Sequence, residues 1–182
     1  MKKNLLKTLL VSCMTAVMLA GCGVNGDTTN NDNTSEETIT VTDVRGEVKI
    51  PAEPQRIVDL SGNSDILSVL GYKVIGTANS DAYDYTKFPS YLEETLSGAE
   101  ILGYSMQDTM DVEAVMNLNP DLIVISTVQE KMYDQLSEIA PTVMIQLEAL
   151  NWKEDVKAFS KVFNKEDVAN EWLANYETKA KE

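Results

Sequence analysis

Residues 102–126 read LGYSMQDTMDVEAVMNLNPDLIVIS, and they carry the strongest indication of the fold. The apolar run LIVI at 122–125 follows an Asn-Pro-Asp breaker, is too short for a helix and is rich in β-branched residues. These properties are typical of a strand buried on both faces, as in a parallel sheet. Parallel strands need crossover connections, and the amphipathic pattern at 112–116 predicts a short helix that supplies one.

The same alternation of apolar runs and amphipathic patterns continues on both sides of this stretch. Predicted strands cover residues 56–60, 73–77 and 142–146, predicted helices cover 63–70, 128–139, 151–163 and 165–182, and a β-hairpin covers 38–42 and 47–50. This order predicts an α/β fold in which a largely parallel sheet is flanked by helices and preceded by the hairpin.

The first 21 residues have the organisation of a bacterial targeting segment. Three lysines come first, an apolar run follows at 9–19, and LAGC at 19–22 resembles a lipobox. We therefore expect a lipoprotein signal peptide over 1–21 and lipidation of Cys22, with an ordinary secretory signal as the alternative. Residues 22–38 are mostly Asn, Thr, Asp and Glu, which predicts a flexible tether with too little apolar surface to fold.

The charge balance excludes several partners. The whole chain carries a net charge of −14, and removing residues 1–21, which hold three lysines and no acidic residue, changes it to −17. A surface this acidic is not expected to bind nucleic acid or anionic lipid. Attachment to the membrane is therefore expected to come from the N-terminal lipid.

Residue types that common enzymes need are also missing. The chain has no His, and its two cysteines are Cys13, inside the expected signal peptide, and Cys22. His-containing zinc sites, Cys/His pairs and Ser-His-Asp triads therefore cannot form, and no phosphate-binding glycine motif is present. We predict no catalytic residue, no metal site and no cofactor, and therefore a binding protein rather than an enzyme.

Several short motifs together carry a family resemblance. They are Gly46, PQRIV at 54–58, Gly103, DVE at 111–113, NPDLI at 119–123 and IAPTV at 139–143. This set resembles the substrate-binding lipoproteins of ABC importers for ferric siderophores, haem and cobalamin, especially the ferric-hydroxamate branch. The resemblance implies a two-lobed fold with the ligand held between the lobes and a long helix that joins them.

The resemblance also implies how the chain divides. Residues 39–150 correspond to the N-terminal substrate-binding lobe, and residues 151–182 to helices that lead into a truncated inter-lobe helix. A fragment is expected rather than a natural single-lobed variant, because no Gly or Pro stops the last helix. Asp111 is the expected N-cap of the helix at 112–116, which places Glu113 in the first turn, where it is expected to be exposed. In this family a glutamate at the position of Glu113 docks onto an arginine of the permease; the alternative is a carboxylate that only stabilises the start of its helix.

The carboxyl ends of parallel strands meet at one sheet edge, where ligands bind. Eight residues are predicted to form this ligand-binding edge: Ser61, Asn63, Asn79, Tyr104, Met106, Gln107, Thr127 and Gln146. The set is mostly neutral, which suits a hydroxamate complex better than a strongly anionic catecholate complex. The aromatic loop at 78–91 either faces the ligand or packs onto its own domain.

The leading hypothesis is thus an extracytoplasmic, lipid-anchored receptor that delivers a ferric siderophore to ABC permease subunits. A haem- or cobalamin-binding member of the same family is the alternative ligand class, and for haem Met106 or a loop tyrosine is a candidate axial ligand. A surface interaction lipoprotein without transport is a second class. A lipoprotein enzyme is a third, and its catalytic residues would have to lie outside this chain.

Overall fold

A computed structural model describes residues 37–81, 83–147 and 151–182. The strands are β1 Thr38–Asp43, β2 Gly46–Pro51, β3 Ile57–Asp59, β4 Val74–Asn79, β5 Glu100–Tyr104, β6 Leu122–Ser126 and β7 Thr142–Ile145. The α-helices are α1 Ser64–Val69, α2 Val112–Asn117, α3 Tyr133–Ser137, α4 Trp152–Val162 and α5 Glu166–Lys179, and a 3₁₀ helix covers Thr127–Met132. The predicted signal peptide and almost all of the predicted tether lie outside the described residues.

Strands β3 to β7 form one parallel sheet in the order β5-β4-β3-β6-β7. The chain moves outward from β3 to β4 and β5 on one side, and from β6 to β7 on the other. The direction of winding therefore reverses between β3 and β6, and this switch point is where open α/β sheets hold their ligands. The predicted fold class is confirmed.

Strand β6 lies at the centre of the core, and all five of its residues are buried. Leu122 and Val124 pack into the cluster that holds α1, α4 and α5, whereas Ile123 and Ile125 pack into the cluster that holds α2 and α3. This alternation follows from the two-residue period of a strand. The prediction of a strand covered on both faces is confirmed.

The hairpin β1–β2 closes the free edge of β7. The Asp43 carboxylate accepts a hydrogen bond from the Met144 backbone N–H at 2.8 Å, and the Arg45 guanidinium lies 4.1 Å from the centre of the Tyr133 ring. An unpaired edge strand invites pairing with other chains, so a covered edge protects the sheet. The hairpin thus fixes one side of the domain and leaves the strand ends free.

Two motifs of the family resemblance meet at the opposite, amino-terminal edge of the sheet. The Asp121 carboxylate accepts hydrogen bonds from the backbone N–H groups of Gln55, at 2.7 Å, and Arg56, at 2.9 Å. The Arg56 side chain in turn donates to the carbonyl oxygens of Leu118 and Asn119. These contacts cross-link the segments that lead into β3 and β6.

Several predicted boundaries are wrong. The helix predicted over 128–139 is a 3₁₀ helix followed by the short α3, because Gln129 has non-helical angles and its side chain turns back to cap the segment. Strand β5 was not predicted, because the exposed Glu100 and the glycine at 103 weaken its strand pattern. Gly103 has φ +132° in the structure. Strand β4 extends to Asn79, and α5 ends at Lys179 rather than Glu182.

Among the described residues, no helix combines the length and the apolar composition that a membrane span requires.

Candidate functional site

The structure places all eight predicted ligand residues at the carboxyl-terminal edge of the sheet. Ser61 and Asn63 follow β3, Asn79 and Tyr104 end β4 and β5, and Met106 and Gln107 follow β5. Thr127 follows β6 and Gln146 follows β7. The edge that these residues form runs across the switch point between β3 and β6.

Two of the eight side chains are buried and form hydrogen bonds within the domain. Ser61 is 4% exposed, and its hydroxyl donates to the Asp59 carboxylate at 2.6 Å. Asn79 is 5% exposed; its amide donates to the Lys87 carbonyl and accepts from the Asp81 N–H at 3.1 Å. These two residues hold their loops in place through hydrogen bonds, whereas the other six predicted ligand residues are half-buried or exposed.

The β5–α2 loop presents the most exposed part of the edge. Met106 is 60% exposed, and Gln107 next to it is exposed as well. The Tyr104 ring is half-buried and stacks on the Tyr85 ring, with centroids 5.9 Å apart and planes at 28°. A thioether, an amide and a stacked aromatic pair therefore share one surface, which is suited to contacts with an organic chelate.

The remaining predicted residues are polar and accessible. Asn63 and Thr127 are half-buried, and Gln146 is exposed. The Asn63 amide donates to the Ser61 carbonyl at 3.0 Å, and the Gln146 amide donates to the Leu147 carbonyl at 3.3 Å. Asn63 and Gln146 keep hydrogen-bonding capacity beyond these contacts, because a carboxamide offers two donors and two acceptor positions.

The aromatic loop divides between the two interpretations that the sequence left open. Phe88 packs against the buried core, as expected for a loop that packs onto its own domain. Tyr83 is fully exposed and Tyr91 is 73% exposed, so these rings do not serve packing. Tyr85 joins the ligand edge through its stacking on Tyr104.

The sequence did not predict a buried carboxylate, Asp59, beneath the edge. Asp59 is fully buried at the end of β3 and accepts four hydrogen bonds: from the Ser61 N–H and hydroxyl, the Asn63 N–H, and the Ser64 hydroxyl at 2.6 Å. Burial raises the pKa of Asp59, and the hydrogen bonds from Ser61, Ser64 and Asn63 oppose that rise. This group shapes the β3–α1 loop that carries Asn63.

Gln129 is a second buried polar residue that was not predicted to belong to the site. It is 0% exposed, and its side-chain oxygen accepts from the Ser126 N–H at 3.1 Å and the Ser126 hydroxyl at 2.9 Å. Its amide nitrogen donates to the carbonyl oxygens of Ser105, at 2.5 Å, and Gln107, at 3.0 Å. The Ser-x-x-Gln spacing at 126–129 is a capping-box signal that predicts the bond from the Ser126 N–H to the Gln129 side chain. It predicts neither the bond from the Ser126 hydroxyl nor the contacts to Ser105 and Gln107.

The lysines near the predicted site do not form a cationic cluster. Lys73 precedes β4 and so lies at the opposite edge of the sheet. Lys87 pairs with Asp84 and Lys131 pairs with Asp108, each at 2.9 Å. Hydrogen bonds from Thr86 and Lys87 lower the pKa of Asp84 to about 2, so this carboxylate stays charged at neutral pH. The charges of Lys87 and Lys131 are thus balanced by neighbouring carboxylates.

Glu113 lies where the sequence placed it. Asp111 is the N-cap of α2, and its carboxylate accepts from the N–H groups of Glu113, at 3.0 Å, and Ala114, at 3.1 Å. Glu113 is exposed in the first turn. The predicted cap and the predicted exposure are confirmed, while the docking role stays a prediction.

In the described ranges, no three His, Cys, Asp or Glu side chains gather in a way that could hold a metal ion. Cys22, the predicted lipidation site, lies outside the described residues.

Comparison with known proteins finds relatives of similar sequence. YfiY of Bacillus subtilis, a probable siderophore-binding lipoprotein, is 35% identical over 97% of this chain and 54% of its own length. The iron(3+)-hydroxamate-binding protein FhuD of the same organism is 36% identical over 88% of this chain and 49% of its own. The chain thus spans about half the length of the curated relatives that it matches.

The structural comparison agrees. SirA of Staphylococcus aureus, solved in complex with staphyloferrin B, matches with a TM-score of 0.65 at 33% identity over 78% of this chain and 48% of that chain. The family model described as periplasmic binding protein matches residues 61–182, which include the DVE motif at 111–113 and the NPDLI motif at 119–123. The resemblance drawn from the sequence motifs is confirmed, and the chain belongs to the periplasmic binding protein family.

Proposed function

We propose that the described domain is one lobe of an extracytoplasmic receptor that binds a ferric siderophore and delivers it to an ABC permease. The observation that carries the proposal is the exposed Met106 and Gln107, beside the half-buried Tyr104, at the carboxyl-terminal edge of a parallel sheet. Relatives that bear siderophore-binding names support it. The eight predicted residues divide into an inner pair, Ser61 and Asn79, and an outer contact surface.

A weakly charged hydroxamate complex fits this surface best. A catecholate complex is strongly anionic and is expected to need several cations, yet Lys87 and Lys131 are already paired with carboxylates. Stacked aromatic rings and amides instead suit the carbon skeleton and the amide-like groups of a hydroxamate. Haem is the alternative ligand, and the exposed Met106 is its candidate axial ligand.

The same proposal covers the rest of the receptor. Residues 39–150 would supply one wall of the ligand cleft, and residues 151–182 would lead toward a second lobe that supplies the other. Lipidation at Cys22 would hold the protein at the outer face of the cell membrane through the tether. Glu113, exposed at the start of α2, would meet the permease.

A ligand titration tests the proposal. Quenching of Tyr and Trp fluorescence in the full-length protein should give a Kd below about 1 μM for a ferrioxamine-type complex, and weaker binding for catecholate complexes and haem. Tighter binding of the catecholate would overturn the proposed ligand class. Absence of binding by every ferric siderophore and by haem would overturn the function.

The chain offers a matched pair of variants for this titration. Met106 and Met116 are both exposed, at 60% and 53%, but only Met106 lies in the β5–α2 loop. Met106→Ala should weaken binding about tenfold, equivalent to about 1.4 kcal/mol, while Met116→Ala should leave the Kd unchanged. Equal effects of the two substitutions would place the ligand elsewhere.

A further inference from the structure

The amide of Gln129 can adopt one orientation only. Its oxygen faces two donors, the N–H and the hydroxyl of Ser126, and its nitrogen faces two acceptors, the carbonyls of Ser105 and Gln107. A flipped amide would set oxygen against oxygen and leave buried groups unpaired, at a large cost. One buried side chain thus joins the end of β6 to the β5–α2 loop.

The two carbonyls that Gln129 holds lie on either side of Met106. The same short segment is tied at two more points, by the Ser105 N–H to the Asn79 carbonyl at 2.9 Å and by the Gln107 N–H to the Tyr104 carbonyl at 3.0 Å. The backbone around the exposed Met106 is therefore fixed on three sides while the side chain itself remains free to contact a ligand. Fixing a binding loop in advance reduces the entropy that binding must otherwise overcome.

We infer that Gln129 is a positioning residue of the ligand site: it touches no ligand, but it holds the loop of Tyr104, Met106 and Gln107 in its binding shape. This inference rests on the proposed function, because it assigns that loop to the wall of the siderophore cleft. It also makes Gln129 a determinant of affinity, although the residue is fully buried.

The most direct variant is Gln129→Glu. The new carboxylate keeps the acceptor that Ser126 needs, but it replaces both donors to Ser105 and Gln107 with an oxygen that repels their carbonyls. Gln129→Met serves as a second variant, because it removes all four hydrogen bonds without burying a charge. If the buried carboxylate of Gln129→Glu prevents folding, Gln129→Met still tests the positioning role.

Asp121→Ala is the matched control. Asp121 also cross-links two segments through a side chain that accepts from backbone N–H groups, but it lies at the opposite edge of the sheet. Its removal should lower stability without touching the loop of Met106. A purely structural role for Gln129 would make the two positions behave alike.

The experiment combines calorimetric titration of the full-length protein with a ferrioxamine-type complex and amide hydrogen exchange without ligand. Both Gln129 variants should bind at least about tenfold more weakly than wild type, whereas Asp121→Ala should bind within about twofold of it. Exchange at residues 104–108 should rise in the Gln129 variants and not in Asp121→Ala.

Equal losses of affinity at both positions, or wild-type affinity in the Gln129 variants, would overturn the inference. Unchanged exchange at 104–108 in the Gln129 variants would overturn it as well, whether or not the wild type binds a siderophore. A wild-type protein that binds no ferric siderophore would contradict the proposed function instead, and the exchange measurement would then decide the positioning role alone.

Discussion

Gly62 lies directly against Ser105, and this contact joins the β3–α1 loop to the β5–α2 loop. A Cβ on Gly62 would stand 2.5 Å from the Ser105 Cβ, and the Gly62 backbone has φ +78°. Both the space and the angle therefore require glycine. Ser105 is 3% exposed, so it lies enclosed between Gly62 on one side and the amide of Gln129 on the other.

The first prediction concerns this contact. Gly62→Ala should lower the free energy of unfolding by about 2–4 kcal/mol, because a left-handed backbone costs about 1–2 kcal/mol in a non-glycine residue and the clash adds to it. Gly98→Ala is the control: Gly98 has φ +87° but no atom within 4 Å of the added carbon. Urea denaturation should show a smaller loss of unfolding free energy for Gly98→Ala, about 1–2 kcal/mol, because only the backbone cost applies. Equal losses would disprove the close contact.

The second prediction concerns Asp59, whose folded-state pKa is raised by burial. A raised pKa means that the stability contributed by this group is present below the unfolded pKa of about 3.9, and is lost as pH rises through the folded pKa. The excess stability of wild type over Asp59→Asn should therefore decrease as pH rises from 4 toward neutrality, to roughly the extent of the pKa shift. Denaturant melts across that range measure it.

Asp84 provides a control of opposite sign. Its pKa is lowered to about 2, so its contribution is present above the unfolded pKa and is lost only as pH falls toward 2. The stability difference between wild type and Asp84→Asn should not decrease with rising pH. A difference for Asp59→Asn that grows with rising pH would contradict the raised pKa.

The range of each interaction explains how much the sequence could predict. The cap formed by Asp111 and the buried run at 122–125 depend on neighbours within a few residues, and both were predicted correctly. The contacts of Gln129 reach back to Ser105, and those of Asp121 reach back to Gln55. No local pattern encodes such pairs, because tertiary packing alone brings them together.

The position of the eight residues at one edge of the sheet was predicted, but the orientation of each side chain was not. Strand topology correctly places Ser61, Asn79 and Met106 at the same carboxyl-terminal edge, since all follow or end parallel strands. Only the structure shows that the first two side chains turn inward, toward Asp59 and toward the carbonyl of Lys87. The helix predicted over 128–139 is divided into a 3₁₀ helix and the short α3, with non-helical backbone angles at Gln129.

The third prediction concerns Glu113 in the full-length protein. Glu113→Ala should leave ligand affinity unchanged and cost under about 1 kcal/mol of stability, while uptake of the ferric siderophore by cells falls strongly. Glu130→Ala is the control, because Glu130 is also an exposed acidic residue in the first turn of a helical segment. Normal uptake with Glu113→Ala would end the docking proposal.

The fourth prediction concerns the anchor, which lies outside the described residues. Cys22→Ala should abolish acylation and release the protein from the membrane, because the tether has too little apolar surface to hold it there. Cys13→Ala should remain anchored, since Cys13 falls within the expected signal peptide. Membrane fractionation with a labelled fatty acid distinguishes them. A lipid label that persists in Cys22→Ala would exclude the lipobox.

The most direct measurement compares the lobe alone with the full-length protein. Titration calorimetry with a ferrioxamine-type complex should give a Kd below about 1 μM for the full-length protein, and weaker than about 100 μM for folded residues 37–182. One wall offers roughly half of the contacts but bears most of the association cost. Binding below about 1 μM by residues 37–182 alone would show that this lobe holds a complete site, and would contradict the account of a single wall.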